Sequence, residues 1–281
     1  MLRYRDAFLP IRHQAAAGAP AGLEKPKASG LLIIALAAAV TASAAIAQQT
    51  TIVKSTGLEV ILRWAPLLLW GFAFNILISL AAMAIGTVAG IPVGVAQISE
   101  TKVIRYTARA VTQLFRNAPW LVLLFLCMFM IPFEIRAFGW RIPFPDWAKA
   151  VFGFALPVMA NTSEIVRGAV LSVPTGQWES ASALGLNRRR TLSLVILPQC
   201  IKRMLPPWMN LYSLIVMSTV NASIVGVSEM VTLTGQVHAA EGSRPELLAP
   251  LYAFVLVCFF IYCYPIGKAT QRLERKFQVK L

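Results

Sequence analysis

Apolar and polar stretches alternate along this chain on the scale of whole membrane spans. Residues 64–97 are apolar over a length that accommodates an interfacial piece followed by one full span at 71–95, since about 20 helical residues cross a ~30 Å hydrocarbon core. Residues 118–131 open a second span, 148–163 form a third and shorter one, 208–227 a fourth and 248–267 a fifth. Between the second and third, residues 132–147 are polar and proline-rich and are expected to be a loop. Within the first span Gly86, Gly90 and Gly94 recur every fourth residue. They therefore share one helix face, which predicts close approach by a neighbouring helix.

The N-terminal part has a different pattern. Residues 1–29 are polar, rich in Pro, Gly and Ala, and net basic, and are expected to be a disordered tail. Residues 30–47 are apolar and end in Ala45-Ile46-Ala47, so basic region, hydrophobic region and A-x-A tripeptide together fit a cleavable signal peptide. An uncleaved sixth span fits equally well, although the run is at the short end for a crossing. Both readings leave residue 48 outside and make 48–63 an external linker with a short helical end. The expected fold is all-α: a polytopic membrane protein with five core transmembrane helices, occupying 64–267, plus this N-terminal hydrophobic segment.

The longest part of the second half without a convincing span is 161–207. It begins as the polar end of an apolar helix, with Glu164 and Arg167 on one face. Val173-Pro174 stops that helix, because proline disfavours helical geometry in the residue before it. A short helix is predicted over 177–184, capped by Thr175 or Gly176 and ended by Gly185 in the left-handed conformation. Its middle, Ser180-Ala181-Ser182-Ala183, is all small side chains, a smooth surface suited to a groove on another protein. Trp178 and Glu179 project from it, and Arg188, Arg189 and Arg190 follow. A second amphipathic segment, 191–197, is expected to end at Pro198.

Charge assigns the sides. The 281-residue chain is 57% hydrophobic with mean hydropathy +0.66, yet carries a net charge of +14. Nucleic acid could explain that excess, but the long apolar runs point to a bilayer instead. Residues 1–29, 98–116, 164–206 and 268–281 hold twenty of the 26 Lys/Arg against six acids, and the remainder holds six of each. The positive-inside rule then makes those segments cytoplasmic, including the central loop 164–206 and the basic tail 268–281.

The same central stretch carries a resemblance. Glu179-Ser180-Ala181, three residues, Gly185, nine residues and Val195-Ile196-Leu197-Pro198 resemble the EAA loop of bacterial ABC importer permeases, E-A-A-x3-G-x9-I-x-L-P. Ser180 for Ala and Val195 for Ile are the departures, and the spacing is intact. Glu164-Ile165-Val166-Arg167-Gly168, Val173-Pro174, Gly176-Gln177, Leu197-Pro198-Gln199, Phe115-Arg116-Asn117-Ala118-Pro119 and Leu273-Glu274-Arg275-Lys276 are similar to the branch importing polar amino acids. The resemblance spans residues 66–277. It implies a bacterial inner-membrane permease subunit, with its C-terminus cytoplasmic, for polar amino acids or similar small solutes such as opines. It further implies a cytoplasmic ABC ATPase dimer that holds the ATP and Mg, a second permease subunit, and an external solute-binding protein. Gln177, Trp178, Glu179, Ser180, Ala181, Gly185, Leu186 and Arg188 are the implied ATPase-coupling residues. Against this, Glu179 alone reads as a solvated residue near a positive helix N-terminus. Arg188, Arg189 and Arg190 also fit topology anchors, and Trp178 also fits an interfacial aromatic.

No chemistry of the chain's own is legible. It lacks G-x-x-x-x-G-K-[ST] for a nucleotide. Its two histidines, His13 and His238, fall on opposite sides of the expected topology, and Cys127, Cys200, Cys258 and Cys263 lack ligand spacing, so no metal site is expected. Polar residues in the spans are the candidates for a substrate path: Asn161 and Thr162 at the end of the third, Ser218, Thr219 and Asn221 in the fourth. Interhelical hydrogen bonding would explain them as well. The fourth span of related permeases commonly reads K-x-T-S-L, where this chain has Met217-Ser218-Thr219-Val220-Asn221, which leaves the solute open. An ion-coupled secondary carrier acting alone is the alternative, and a membrane adaptor a third reading. A carrier needs ionisable residues near mid-membrane, and no charge is expected at the centre of the later spans.

Overall fold

The computed structural model describes residues 56–137 and 140–277; the expected tail 1–29 and hydrophobic segment 30–47 lie outside the described residues. Helix α1, Gly57–Ala96, starts from a capping box in which the Thr56 hydroxyl accepts from the Glu59 N–H and the Glu59 carboxylate accepts from the Thr56 N–H. The expected interfacial piece and first span are thus one continuous helix of 40 residues. At 1.5 Å per residue it is ~60 Å long, about twice a hydrocarbon core.

Helices α2, Lys102–Asn117, and α3, Trp120–Met130, meet at an angle of 103°. The bend falls at Ala118-Pro119, where proline holds Ala118 extended with ψ 139°. The polar connection 132–147 is not all loop. Strand β1, Glu134–Ala137, pairs antiparallel with β2, Trp140–Pro143, with Glu134 opposite Pro143 and Ala137 opposite Trp140.

Helix α4, Asp146–Leu171, follows, then α5, Thr175–Ala183, one helical turn at Arg188–Arg190, a π-helical stretch at Thr191–Ile196, and α6, Leu197–Ser218. Pro198 does not end the helix, contrary to expectation. It lies in the first turn of α6, where a missing N–H costs nothing, and the π-helical stretch before it absorbs the change of register. A 3-10 segment, Thr219–Val225, leads to Gly226 at φ +87°, then to α7, Met230–Ala240, and finally α8, Leu248–Phe277.

Apart from the hairpin, the described fold is all-α. The stretches Gly57–Ala96, Arg188–Val225 and Pro245–Phe277 are each long and apolar enough to cross a membrane, and the bent α2–α3 pair makes a fourth if counted as one span. Helix α4, the third expected span, is sheltered between α1, α3 and α6 and so tolerates polar residues such as Thr162 and Ser163 in its length.

The predicted glycine face forms the contact between α1 and α4. A Cβ on Gly86 would stand 2.5 Å from Val158 Cβ, one on Gly90 2.7 Å from the Met159 carbonyl oxygen, and one on Gly94 2.7 Å from the Ser163 carbonyl oxygen. No side chain fits there, so the two backbones meet directly. Four apolar clusters fill the rest. One joins α1 to α7 and α8 through Leu68, Met230, Leu251 and Phe259. A second joins α1, α3 and α4 through Ile78, Leu124 and Phe154, and a third sets Met83 and Val158 against Leu211 and Ile215 of α6. The fourth, Ala169, Val170, Val173, Ile196 and Cys200, closes the end where α4 meets α6.

No charge stands at the centre of the later spans, but two charges beyond those centres are buried. Lys149, near the start of α4, is fully buried, with Nζ 3.4 Å from Asp146 Oδ1 and 3.2 Å from the Phe133 ring centroid. Glu229, read as part of an external connection, is also fully buried.

Substituting Gly90 by valine should lower the stability of the purified protein by about 1–3 kcal/mol, because the contact is backbone to backbone and cannot yield. Gly168, which has no atom within 4 Å of where a Cβ would stand, should accept alanine with an unchanged or raised Tm. Thermal unfolding in detergent compares the two, and equal shifts would contradict a seam held by close approach.

Candidate functional site

The short helix α5 is the first part of the site. It ends in a Schellman motif: the Gly185 N–H donates to the Ser182 carbonyl, the Leu186 N–H donates to the Ala181 carbonyl, and Gly185 takes φ +74° as its sequence predicts. Its N-cap is Pro174, without a side-chain cap bond, rather than Thr175 or Gly176. Trp178 is half-buried against the Ala169–Val173–Ile196 cluster, and Ala181 is buried beside it. These two residues fasten the helix to the body of the protein. Gln177, Glu179, Ser180 and Leu184 are exposed, and 177, 180 and 184 share one outward face.

The segments around α5 are tied down by arginines. Arg188 donates to the Ile98 carbonyl at 3.3 Å, pairs with Glu100 at 3.2 Å and lies 5.4 Å from the Trp178 ring centroid. Arg203 of α6 donates to both the carbonyl and the hydroxyl of Ser172 at the end of α4. Beneath them Gln97 donates to Thr112 and Ser163, each at 3.1 Å, joining the end of α1 to α2 and α4.

The second part is a cleft of about 510 Å³ between α4 and α6, lined by Arg116, Asn161, Glu164, Arg203, Asn210 and Leu214 among others. Glu164 lines it beyond the apolar part of α4. Burial alone would raise its carboxyl, but the hydrogen bonds and charge of Arg167 (2.7 Å) and the charge of Arg116 (3.6 Å) hold it below the usual carboxylate range. The cleft thus offers two guanidinium groups, one ionised carboxylate and two amides, groups suited to a polar or zwitterionic solute.

The candidate path residues do not all reach this cleft. Asn161 lines it. Ser218 lies on the α6 stripe that runs through Asn210 and Leu214 at four-residue spacing, and Asn221 lies one turn further on. Thr162 instead packs on Gly90 of α1, and Thr219 is fully buried.

Thr219 belongs to a buried polar hub. Asn75 of α1 donates to Thr219 Oγ1 and to Glu229 Oε2, each at 3.0 Å, and accepts from the Met230 N–H at 3.1 Å. Glu229 caps α7, accepting from the N–H groups of Val231 and Thr232 at 3.0 and 2.9 Å. Sequence reasoning missed this hub. A lone asparagine in the apolar run 64–97 was the available signal; glutamate is not a favoured capping residue, and its place among connecting residues concealed the burial.

Long membrane-capable helices, a polar cleft and an outward-facing helix in a basic loop define a membrane protein with a polar site between its helices. Residues 82–276 match the binding-protein-dependent transport system inner membrane component family, and the chain belongs to that family. It is 31% identical to the probable amino-acid ABC transporter permease protein YckA of Bacillus subtilis over 75% of this chain and 89% of that one. It is 29% identical to the octopine transport system permease protein OccM of Rhizobium radiobacter, over 69% and 80%. Its fold is similar to that of an amino acid ABC transporter crystallised with histidines, at TM-score 0.66 and 24% identity, covering 77% of this chain and 97% of that one. The inward-facing MetNI methionine ABC transporter is similar at TM-score 0.60 and 20% identity, over 77% and 99%. The chain is a multi-pass inner-membrane protein and a transport subunit.

Asn75→Leu should destabilise the protein by about 1–3 kcal/mol, because it leaves the Glu229 carboxylate buried with one donor fewer. Glu229→Gln in the Asn75→Leu background should cost less than in the wild type, and denaturation of the four proteins measures this coupling. Additive losses would remove the hub as a unit.

Proposed function

We propose that the chain is the permease subunit of an ABC importer that brings polar amino acids, or related small solutes such as opines, into the cytoplasm. The observation that carries this reading is the division of α5 into two faces: Trp178 and Ala181 hold it to the body, while Gln177, Glu179, Ser180 and Leu184 face outward. A helix built for packing would bury Leu184, which is 81% exposed. The cargoes for which the relatives are named, an amino acid and octopine, support the solute class.

In this reading the central loop and C-terminal tail are cytoplasmic, and two permease subunits, identical or homologous, enclose the path. A separate ATPase dimer, which binds the ATP and Mg, seats the exposed face of each α5, and Gly185, Leu186 and Arg188 fix the angle at which the helix is presented. Closure of the ATPase moves α5, and with it α4 and α6, between inward- and outward-open states as rigid bodies. The cleft at Asn161, Arg116 and Glu164 forms the inner stretch of the path, and Ser218 and Asn221 continue it. An external solute-binding protein delivers the solute.

The carrier reading gains little from the buried charges. The Glu229 carboxylate is committed to backbone and side-chain donors, and Lys149 is a cation paired with Asp146 near the start of α4, so neither is an ion site at the centre of a span.

The test is ATP-driven uptake of labelled amino acids into vesicles holding the full transporter with the Glu179→Arg variant. Uptake should fall at least about tenfold, the cost of reversing one charge in a docked interface, and the inserted variant should fail to retain the ATPase. Normal uptake, or uptake by the wild type without ATP, would exchange this reading for the carrier.

A further inference from the structure

A second pocket, of about 340 Å³, lies beside α5 on the side away from its outward face. Arg105 and Arg109 of α2 and Arg188 of the central loop line it, together with Gln97, Thr175 and Trp178. Three guanidinium groups from two separate segments converge here. Arg188 is partly engaged by Glu100, an exposed pair of little energetic weight. Arg105 donates one bond to the Ser99 carbonyl, and Arg109 has no hydrogen bond or ion pair among the described residues. Gln97, which also lines the pocket, is fully buried, and its Oε1 accepts no hydrogen bond.

The surroundings of α2 indicate where the anion comes from. Arg105, Arg109 and Arg116 form one stripe of this helix at i, i+4 and i+11. Next to it runs an exposed apolar stripe of Val103, Tyr106, Ala110 and Leu114, with Val103 73% and Leu114 65% exposed. An amphipathic helix with adjoining apolar and basic stripes lies in the plane of a membrane interface. The pocket therefore opens at headgroup depth, on the face that the charge distribution places inside.

We propose that this pocket binds the phosphate of a phosphoglycerol group, supplied by an anionic lipid of the inner leaflet. The guanidinium groups of Arg105, Arg109 and Arg188 pair with the phosphate oxygens, a geometry arginine favours. A glycerol hydroxyl donates to Gln97 Oε1, the acceptor the protein leaves unused. A headgroup bound there bridges α2 to the coupling segment next to Trp178, so lipid composition sets how firmly α5 is held. The inference relies on the sidedness given above and adds a ligand to it.

The intact transporter, with its ATPase, is transferred to nanodiscs of phosphatidylcholine containing phosphatidylglycerol, and native mass spectrometry then measures the phosphatidylglycerol retained. Arg109→Gln removes a side chain without partners and so leaves folding intact; with Arg105→Gln it should lower retention by about tenfold or more, the loss expected for two surface cations. Arg272→Gln/Arg275→Gln, elsewhere on the basic face, should retain lipid as the wild type does. Quenching of Trp178 by brominated phosphatidylglycerol, taken as the difference from Trp178→Phe, should exceed that by brominated phosphatidylcholine. If lipid is not retained but glycerol 3-phosphate binds to the wild type and not to the double variant, the anion site stands and its occupant is soluble. Equal phosphatidylglycerol retention by the wild type and Arg105→Gln/Arg109→Gln, or no binding of either ligand, overturns the proposal.

Discussion

The direct contact of α1 with α4 along Gly86, Gly90 and Gly94 is the constraint on which the other elements depend. In a bilayer the hydrophobic effect does not hold helices together, since lipid tails are as apolar as leucine, so association comes from close packing and hydrogen bonds. Removing three side chains from one face lets the α1 and α4 backbones approach until α4 carbonyls stand within 2.7–2.8 Å of where a Cβ would be. That approach places α4 at the centre, and α3 and α6 then pack on its remaining surface. A central α4 need not be lipophilic, which is why it can bring Asn161 and Glu164 to a cleft.

Polar groups fasten α1 on either side of the seam. At one end Gln97, Thr112 and Ser163 tie α1, α2 and α4 together. Towards the other, Asn75, Thr219 and Glu229 tie α1 to the point where the fourth span breaks at Gly226 and α7 begins. Buried hydrogen-bonded groups are costly to separate, so the assembly resists internal shear. In the proposed coupling, a push on α5 would pass through Trp178 and Ala181 into the cluster at the end of α4 and along the seam. The proposed coupling thus treats the permease as a lever stiffened by the glycine seam.

Much of this was legible in the chain. The four-residue glycine spacing announced the seam, and Gly185 announced the end of α5. What escaped had physical reasons. Pro198 reads as a helix stop, but a proline in a first turn breaks no hydrogen bond, and a π-helical stretch before it is invisible to composition. Glu229 and Lys149 looked peripheral because burial depends on what packs over a residue, and neither Asn75 nor Phe133 is near them in sequence. The candidate path residues divided for the same kind of reason. Thr162 and Asn161 are neighbours, yet about 100° apart on a helix of 3.6 residues per turn, one meets α1 and the other the cleft.

Rigidity of the α5–α4–α1 unit is the central claim, and spin-label distances test it most directly. Labels would be placed on Ser182 of α5 and Ile91 of α1, both exposed, in a chain whose Cys127, Cys200, Cys258 and Cys263 are replaced by alanine or serine. In the assembled transporter the distance within one subunit should stay constant between nucleotide-free and ATP-bound states, while the distance between the two α5 helices changes. A change of several ångströms within the subunit would contradict the lever and place the moving joint between α5 and the seam.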